Sequence, residues 1–197
     1  MYAYIQGPLV YKSPTLVIIE AGGIGYEINV SLTTYDHIAN FEECKLYTHL
    51  TIREDAHLLY GFYDPEEKRL FQRLLSVSGV GPNLGRMVLS SLTPNELKKA
   101  IIDGEHALLT SIKGIGSKSG QKIIIELQET LKKETSEEVF LGQDQASTGK
   151  EQEEALQGLV MLGFKKNEAE KALSNVLKEQ GRSASSDELI KLTLKKL

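Results

Sequence analysis

The sequence has no tryptophan and only one cysteine, Cys44, among its 197 residues. A single cysteine excludes an internal disulfide and any zinc site built from cysteines, so we expect a reducing, cytoplasmic setting. No apolar run approaches the ~18 residues that would indicate a membrane-spanning helix. The first residues also lack the basic and then apolar layout of a signal peptide, so neither secretion nor a membrane anchor is predicted.

Positive charge is scarce overall, because 27 acidic residues outnumber 23 lysines and arginines and the formal net charge is −4. The balance changes along the chain: the basic and acidic counts are 3 and 8 in residues 1–64, 11 and 7 in 65–133, 1 and 4 in 134–150, and 8 and 8 in 151–197. A nucleic-acid-binding surface needs basic side chains to neutralise phosphates. Only residues 65–133 have the excess of positive charge that such a surface requires.

One sequence pattern occurs twice between residues 74 and 127. Each copy has an apolar helix-like run, a glycine–hydrophobic–glycine turn and a second helix-like run. Two glycines around one residue permit a very tight reversal, since glycine adopts positive φ without a Cβ clash. The duplication predicts two helical hairpins in which the hydrophobic residue between the glycines packs beneath the turn. The equivalent pairs are Val77 and Ile112, Gly79 and Gly114, Val80 and Ile115, Gly81 and Gly116, and Gly85 and Gly120.

Such a turn leaves the first backbone N–H groups of the following helix unpaired and facing outward. Together with the helix dipole these groups favour an anion, and a site without base-reading side chains suits a sugar-phosphate backbone. The nearby basic candidates are Lys118 and Lys122, which lie four residues apart on one helix face, and Arg86 in the first copy. We therefore predict that residues 79–81 and 114–116 bind phosphates with these three cations.

Three other interpretations of the repeated pattern must be weighed. A dinucleotide fingerprint requires glycines at positions 1, 3 and 6 after a strand, whereas here they stand at 1, 3 and 7 after a helix-like run. A P-loop requires Gly-x-x-x-x-Gly-Lys-Ser/Thr. Counting from Gly114, the second glycine of that pattern would fall at position 119, where this sequence has Ser119, so the pattern is broken. The third interpretation is a pair of ordinary helical turns. Duplication favours phosphate binding, because adjacent hairpins can hold successive phosphates of one strand.

Residues 1–64 are predicted to form a small five-stranded Greek-key barrel of the OB type. Their β-branched and aromatic segments are separated by polar turns and glycines. Between the last two predicted strands lies Arg53-Glu54-Asp55-Ala56, whose adjacent carboxylates are by themselves typical of a solvated loop tip. No histidine or third carboxylate stands at a spacing that would support a catalytic pair. The predicted strands cover residues 2–11, 15–20, 25–30, 44–52 and 57–62.

The rest of the chain is predicted to be helical, with one interruption. Residues 65–133 are all-α, and they contain a capping box at Thr93-Pro94-Asn95-Glu96. Residues 134–150 have the polar composition of a mobile linker. Residues 151–197 form a three-helix module with a turn at Gly163-Phe164 and a helix cap at Ser185.

The doubled hairpin, the segment from Ile52 to Phe62 with its two acids, and the C-terminal module with its Leu-Gly-Phe turn together resemble the RuvA family of Holliday-junction-binding proteins. The resemblance implies a multidomain α+β chain with an OB-fold barrel, a tandem helix-hairpin-helix domain and a ubiquitin-associated-like (UBA-like) tail. It also implies that Glu54 and Asp55 form an acidic pin at the crossover of a four-way DNA junction. Carboxylates repel phosphates, so an acidic post would keep strands apart while they slide.

The same resemblance implies partners and an assembly. The partners are Holliday junction DNA, the RuvB ATPase and, as a further candidate, the RuvC resolvase, and the assembly is a homotetramer or an octamer. ATP hydrolysis would belong to RuvB, since no Walker motif occurs here, so we expect a non-catalytic subunit without a cofactor or a metal. Leu159, Leu162 and Phe164 are candidate contacts for RuvB, although packing in the core of the module explains each of them equally well.

Some features depart from the family pattern, and two other function classes stay open. Asn83 stands where family members often have lysine, and Gly85 and Gly120 stand where alanine is common. A structure-specific nuclease would need clustered acids for metal ions, and Glu54 with Asp55 is too small a cluster. A ubiquitin-type adaptor would rest on the tail alone and would leave the hairpins unexplained.

Overall fold

The computed structural model describes residues 2–141, 148–180 and 185–196. The chain divides into two compact units, Met1–Lys133 and Glu134–Leu197. None of the helices in the described part of the chain combines the length and the apolar character that a membrane span requires.

The first part of the larger unit is a closed five-stranded barrel, as predicted. The strands neighbour one another in the order β1-β2-β3-β5-β4, and only the β3–β5 pair is parallel. Every second residue of the strands turns inward and builds an apolar core that includes Ile5, Val17, Ile19, Ile28 and Leu46. The strands are β1 (Tyr4–Ser13), β2 (Leu16–Ala21), β3 (Ile24–Val30), β4 (Glu43–Ile52) and β5 (His57–Phe62).

A short helix, α1 (Leu32–Ile38), connects β3 to β4, and the sequence analysis did not predict it. It begins after Ser31, whose hydroxyl accepts a hydrogen bond from the Thr34 amide at 2.9 Å. Serine is a preferred residue at this N-terminal cap, so Ser31 was the available signal. The two β-branched residues in the first turn obscured it, because they lower helix propensity.

Five helices complete the larger unit, and they confirm the all-α prediction for residues 65–133. Asp64 caps the first helix by accepting from the Glu66 amide at 2.8 Å. Thr93 and Glu96 form the predicted capping box. The helices are α2 (Pro65–Ser76), α3 (Pro82–Ser91), α4 (Pro94–Asp103), α5 (His106–Ser111) and α6 (Ser117–Leu141).

The barrel and these helices share one apolar core around Phe71 of α2. The Phe71 ring lies 5.2 Å from the Tyr60 ring and 4.8 Å from the Phe62 ring, measured between centroids. Tyr60 and Phe62 both belong to β5, and the side chains of Tyr60, Phe62 and Phe71 are almost fully buried. The barrel and the first hairpin therefore pack as one body, without a linker between them.

A buried carboxylate adds a polar contact to the same interface. Glu67 of α2 accepts hydrogen bonds from the hydroxyls of Ser31 and Thr34, the latter at 2.7 Å. Burial raises the pKa of the Glu67 carboxyl above its usual value of 4.5, although the two hydroxyl donors act to lower it. Glu67 thus links the start of α1 to α2 across the interface.

The predicted linker, residues 134–150, is partly helical in the structure. The backbone of α6 continues to Leu141, and α7 begins at Thr148, while residues 142–147 lie outside the described residues. Residues 134–141 contain no glycine or proline to end the helix, and polar composition by itself does not stop one. The prediction of mobility for this segment stays a prediction.

The smaller unit contains the three predicted helices of the C-terminal module. Ala155, Leu173, Val176 and Leu189 form its core. Gly163 has a φ of +100°, which allows the tight turn after the first of these helices. The helices are α7 (Thr148–Met161), α8 (Lys166–Gln180) and α9 (Ser186–Leu194).

The substitution Glu67→Gln tests the buried carboxylate. The pKa of the Glu67 carboxyl is higher in the folded protein than in the unfolded chain, so folding favours the protonated carboxyl. The stability of the protein therefore falls as pH rises from 4.5 through the raised pKa. Glutamine cannot ionise, and it leaves one hydroxyl without its acceptor, which costs about 1 kcal/mol. We expect the stability deficit of the variant to shrink with rising pH in urea unfolding experiments. A deficit that is constant with pH would contradict this account.

Candidate nucleic-acid interface

The two predicted hairpins have the same backbone geometry. Gly79 and Gly114 both have a φ of +92°, a conformation that side chains other than glycine rarely adopt. Val80 N donates to Val77 O at 3.0 Å, and the equivalent bond in the second hairpin, from Ile115 N to Ile112 O, also measures 3.0 Å. The duplication in the sequence is therefore a duplication in structure.

The hydrophobic residue between the glycines packs as predicted. Val80 and Ile115 are each only 5% exposed, and both belong to the core of the larger unit. Their burial holds each turn against its helix pair. The turn backbone, and not an apolar side chain, therefore forms the outer surface.

The space in front of the helix that follows each turn is open. Gly81, the N-terminal cap of α3, makes no side-chain capping bond, and its φ is −89°. A Cβ atom added at Gly81 or at Gly116 would meet nothing within 4 Å. Neither backbone strain nor packing among the described residues requires glycine at these two positions. The missing side chains leave room for a close approach by an external group.

The two hairpins lie against each other. A Cβ atom at Gly114 of the second hairpin would lie 3.3 Å from Leu84 Cδ1 and 3.7 Å from Met87 Sδ of the first. The two turns therefore belong to one continuous surface of the larger unit.

The basic side chains are distributed unequally over the two hairpins. Lys118 and Lys122, near the start of α6, are exposed, and among the described residues neither has an ion-pair partner. The repeat pairs Gly79 with Gly114, and the same spacing pairs Lys118 with Asn83 and Lys122 with Met87. The first hairpin is thus neutral where the second is basic.

Arg86 is partly buried, and one nitrogen of its guanidinium group contacts the barrel. Its Nη1 donates to the Thr15 carbonyl at 2.9 Å and lies 3.4 Å from Asn29 Oδ1. The repeat pairs Arg86 with Gln121, so Arg86 is not the positional counterpart of either lysine. The second hairpin therefore has glutamine at the position that Arg86 holds in the first, and the grouping of Arg86 with Lys118 and Lys122 stays a prediction.

The acidic pair predicted as a pin lies at the tip of the loop between β4 and β5. The strands pair up to Ile52 and His57, and Arg53 N donates to Ala56 O at 2.8 Å across the loop. Glu54 and Asp55 are exposed at the turn. In the described part of the chain, no group of three or more His, Cys, Asp or Glu side chains could hold a metal ion.

The three candidate docking residues of the C-terminal module occupy different environments. Leu159 is fully buried, Leu162 is 61% exposed and Phe164 is partly buried. Met161, which the sequence analysis did not select, is 88% exposed beside Leu162. The core interpretation therefore describes Leu159, whereas Met161 and Leu162 form an exposed apolar pair.

Three protein-family models match successive parts of the chain. The RuvA N terminal domain matches residues 1–61, the SAM-like helix-hairpin-helix tandem matches residues 71–129, and the RuvA C-terminal domain matches residues 150–197. Their order is the order of the barrel, the hairpins and the three-helix module.

Curated relatives match over the full chain. A protein of Christiangramia forsetii named Holliday junction branch migration complex subunit RuvA is 44% identical over 198 residues, which cover 100% of both chains. Proteins with the same name from Parabacteroides distasonis and Amoebophilus asiaticus are 46% and 44% identical and cover at least 99% of each chain. The chain belongs to the RuvA family. The resemblance inferred from the motifs is confirmed, as is the fold class of OB-like barrel, tandem helix-hairpin-helix domain and C-terminal helical domain.

Packing explains why this RuvA-family chain has glycine at positions 85 and 120, where alanine is common in the family. A Cβ atom at Gly85 would lie 3.2 Å from Phe71 Cε2, and one at Gly120 would lie 3.0 Å from Thr110 Cγ2. These distances are shorter than ordinary contacts, so each glycine lets the two helices of its hairpin approach closely. The repeat spacing alone could not reveal this, because it aligns the glycines without showing what they touch.

Proposed function

We propose that this RuvA-family chain binds Holliday junctions by their structure and not by their sequence. It holds the junction open and presents it to a RuvB-family ATPase, which drives branch migration. The observation that carries the proposal is the pair of adjacent hairpins with identical turn geometry, each opening onto a free helix N-terminus. Such a pair can hold two phosphates of one strand without contacting a base.

The turns would bind phosphates through their backbone. Amide groups of the first turn of a helix, aided by the helix dipole, bind anions well. Gly79 and Gly114 allow the tight turn, and Val80 and Ile115 anchor it. The missing side chains at the third position of each turn, Gly81 and Gly116, let a phosphate approach the amides closely.

Lys118 and Lys122 would supply the ionic part of the affinity. Both are exposed, and their spacing of four residues places them on one face of α6. Each lysine that neutralises a phosphate releases a counterion, which makes binding salt-dependent. The second hairpin would therefore contribute most of the electrostatic affinity.

The exposed acids Glu54 and Asp55 would separate strands at the junction crossover. Their carboxylates stand at the tip of a tight loop whose strands pack on α2 through Phe71, so the loop base is held firmly. A negative tip within a phosphate-binding surface repels the backbones that meet at the crossover. It would thus guide strands without cutting them.

The C-terminal module would dock the ATPase, and the larger unit would assemble into a homotetramer. Four copies would match the four arms of a junction through closed rotational symmetry. Contiguous exposed apolar surface marks sites of protein–protein contact, so Leu162, with Met161 and Phe164, is the proposed docking group. ATP hydrolysis would belong to the ATPase, and the RuvC resolvase is a further candidate partner on the same junction.

A salt-controlled binding titration tests DNA binding. We expect the full-length protein to prefer a four-way junction of arbitrary sequence over linear duplex of equal length. We expect Lys118→Ala to weaken binding to every sequence and to reduce the slope of log affinity against log salt by about one. Lys99→Ala, an exposed lysine on α4, is the matched control and should leave the slope unchanged. Equal binding of junction and duplex by the unaltered protein would refute the proposal.

The acidic loop is tested by Glu54→Gln combined with Asp55→Gln. Because the change removes repulsion, junction binding should be unchanged or tighter, while ATPase-driven branch migration should be impaired. Glu42→Gln with Glu43→Gln, two adjacent exposed acids at the other end of β4, is the control. Migration at the normal rate in the Glu54 and Asp55 variant would rule out a pin.

Docking is tested by comparing Leu162→Ser with Leu159→Ala in the full-length protein. We expect Leu162→Ser to weaken binding to a RuvB-family ATPase without lowering the melting temperature of the module, since Leu162 is mostly exposed. Leu159→Ala should instead destabilise the module by about 2–5 kcal/mol, because it removes a fully buried side chain. Normal ATPase binding by Leu162→Ser would show that docking uses another surface.

A further inference from the structure

The helix that follows the first turn, α3, makes polar contacts with the barrel and with the connecting helix α1. In the middle of α3, Arg86 Nη1 donates to the Thr15 carbonyl at 2.9 Å and approaches Asn29 Oδ1 at 3.4 Å. Near its end, the Leu89 carbonyl accepts from Thr33 Oγ1 at 2.6 Å. In addition, Ser90 Oγ accepts from the Leu32 amide at 3.0 Å. These contacts leave α3 little freedom to move relative to the barrel.

The start of α3 is also linked to the strand that leaves the acidic loop. The Tyr60 hydroxyl of β5 donates to Asn83 Oδ1 in the first turn of α3 at 3.3 Å. Asn83 stands at the repeat position that Lys118 holds in the second hairpin. The first hairpin therefore has a side-chain contact to the barrel where the second has an exposed cation. The two hairpins are therefore equal in backbone but different in what their side chains contact.

From these contacts we infer that Arg86 is a positioning residue and not a phosphate ligand. Resting on the proposed function, the inference is that Arg86, with Asn29 and Thr15 as its acceptors, sets the distance and angle between the first phosphate-binding turn and the Glu54–Asp55 loop. The second hairpin supplies ionic affinity, whereas the first sets the register of a bound strand relative to the loop.

If Arg86 is a positioning residue, its contacts should affect binding to a four-way junction but not binding to linear duplex. Linear duplex needs only the phosphate-binding turns, and it can shift along them at little cost. A four-way junction must engage the turns and the acidic loop together, so it depends on their relative position. Loosening the Arg86 contact should therefore lower the preference for a junction and leave duplex binding unchanged.

Three variants of the full-length protein, Arg86→Gln, Arg86→Lys and Asn29→Ala, test the inference in salt titrations on junction and on duplex. Arg86→Gln should reduce the junction-to-duplex affinity ratio by about tenfold, which is the value of one hydrogen bond to a charged group. Arg86→Lys and Asn29→Ala should reduce it less, because lysine keeps a donor and Asn29→Ala removes only the longer contact. None should alter duplex affinity or its salt slope. Lys118→Ala, measured in parallel, should weaken both DNA forms and reduce both slopes.

The variants also separate the inference from its alternatives. Asn29 is uncharged and lies in the barrel, so an effect of Asn29→Ala that is not additive with Arg86→Gln supports positioning. Melting temperatures within the range of the unaltered protein would confirm that each variant is folded, and Arg86→Lys keeps both the charge and the helix propensity.

A salt slope reduced by about one in Arg86→Gln, with junction and duplex weakened equally, would overturn the inference and make Arg86 a phosphate ligand. An unaltered protein without junction preference would instead refute the proposed function and, with it, this inference.

Discussion

The structure of the larger unit depends on the packing of one aromatic side chain, Phe71. Its ring contacts Tyr60 and Phe62 of the barrel, and its Cε2 atom lies 3.2 Å from the position that a Cβ of Gly85 would take. Interiors are close-packed, so a ring held on both sides transmits position between the elements it touches. Through Phe71, the strand that leaves the acidic loop and the helix that follows the first turn are held in one arrangement.

The polar contacts around this ring determine how charge is used. Glu67 is satisfied by two hydroxyls in the interface, and Arg86 is engaged by a carbonyl and an amide of the barrel. Both groups have partners inside the unit, whereas the exposed lysines of the second hairpin are the cations that we propose for binding an external anion. A chain with net negative charge can thus present a local basic surface, since the field at a site depends on nearby charges more than on the total.

Much of the candidate site could be predicted from the sequence because its signals are local. A tight turn requires positive φ at one residue, and glycine reports that requirement directly at Gly79 and Gly114. The barrel strands, the capping box and the acidic loop are local in the same sense. Helix α1 was missed because its cap is a single serine beside β-branched residues, and the extent of α6 was missed because polar residues propagate a helix as well as they form a linker.

By itself, the sequence determined the two turns, the five strands, the order of the modules and the family, since each depends on residues a few positions apart. Only the tertiary structure decided which residues share a surface. It turned Arg86 toward the barrel, it buried Leu159 while exposing Leu162, and it gave Gly85 and Gly120 a packing role. Those outcomes depend on contacts between residues far apart in the chain, which no local pattern encodes.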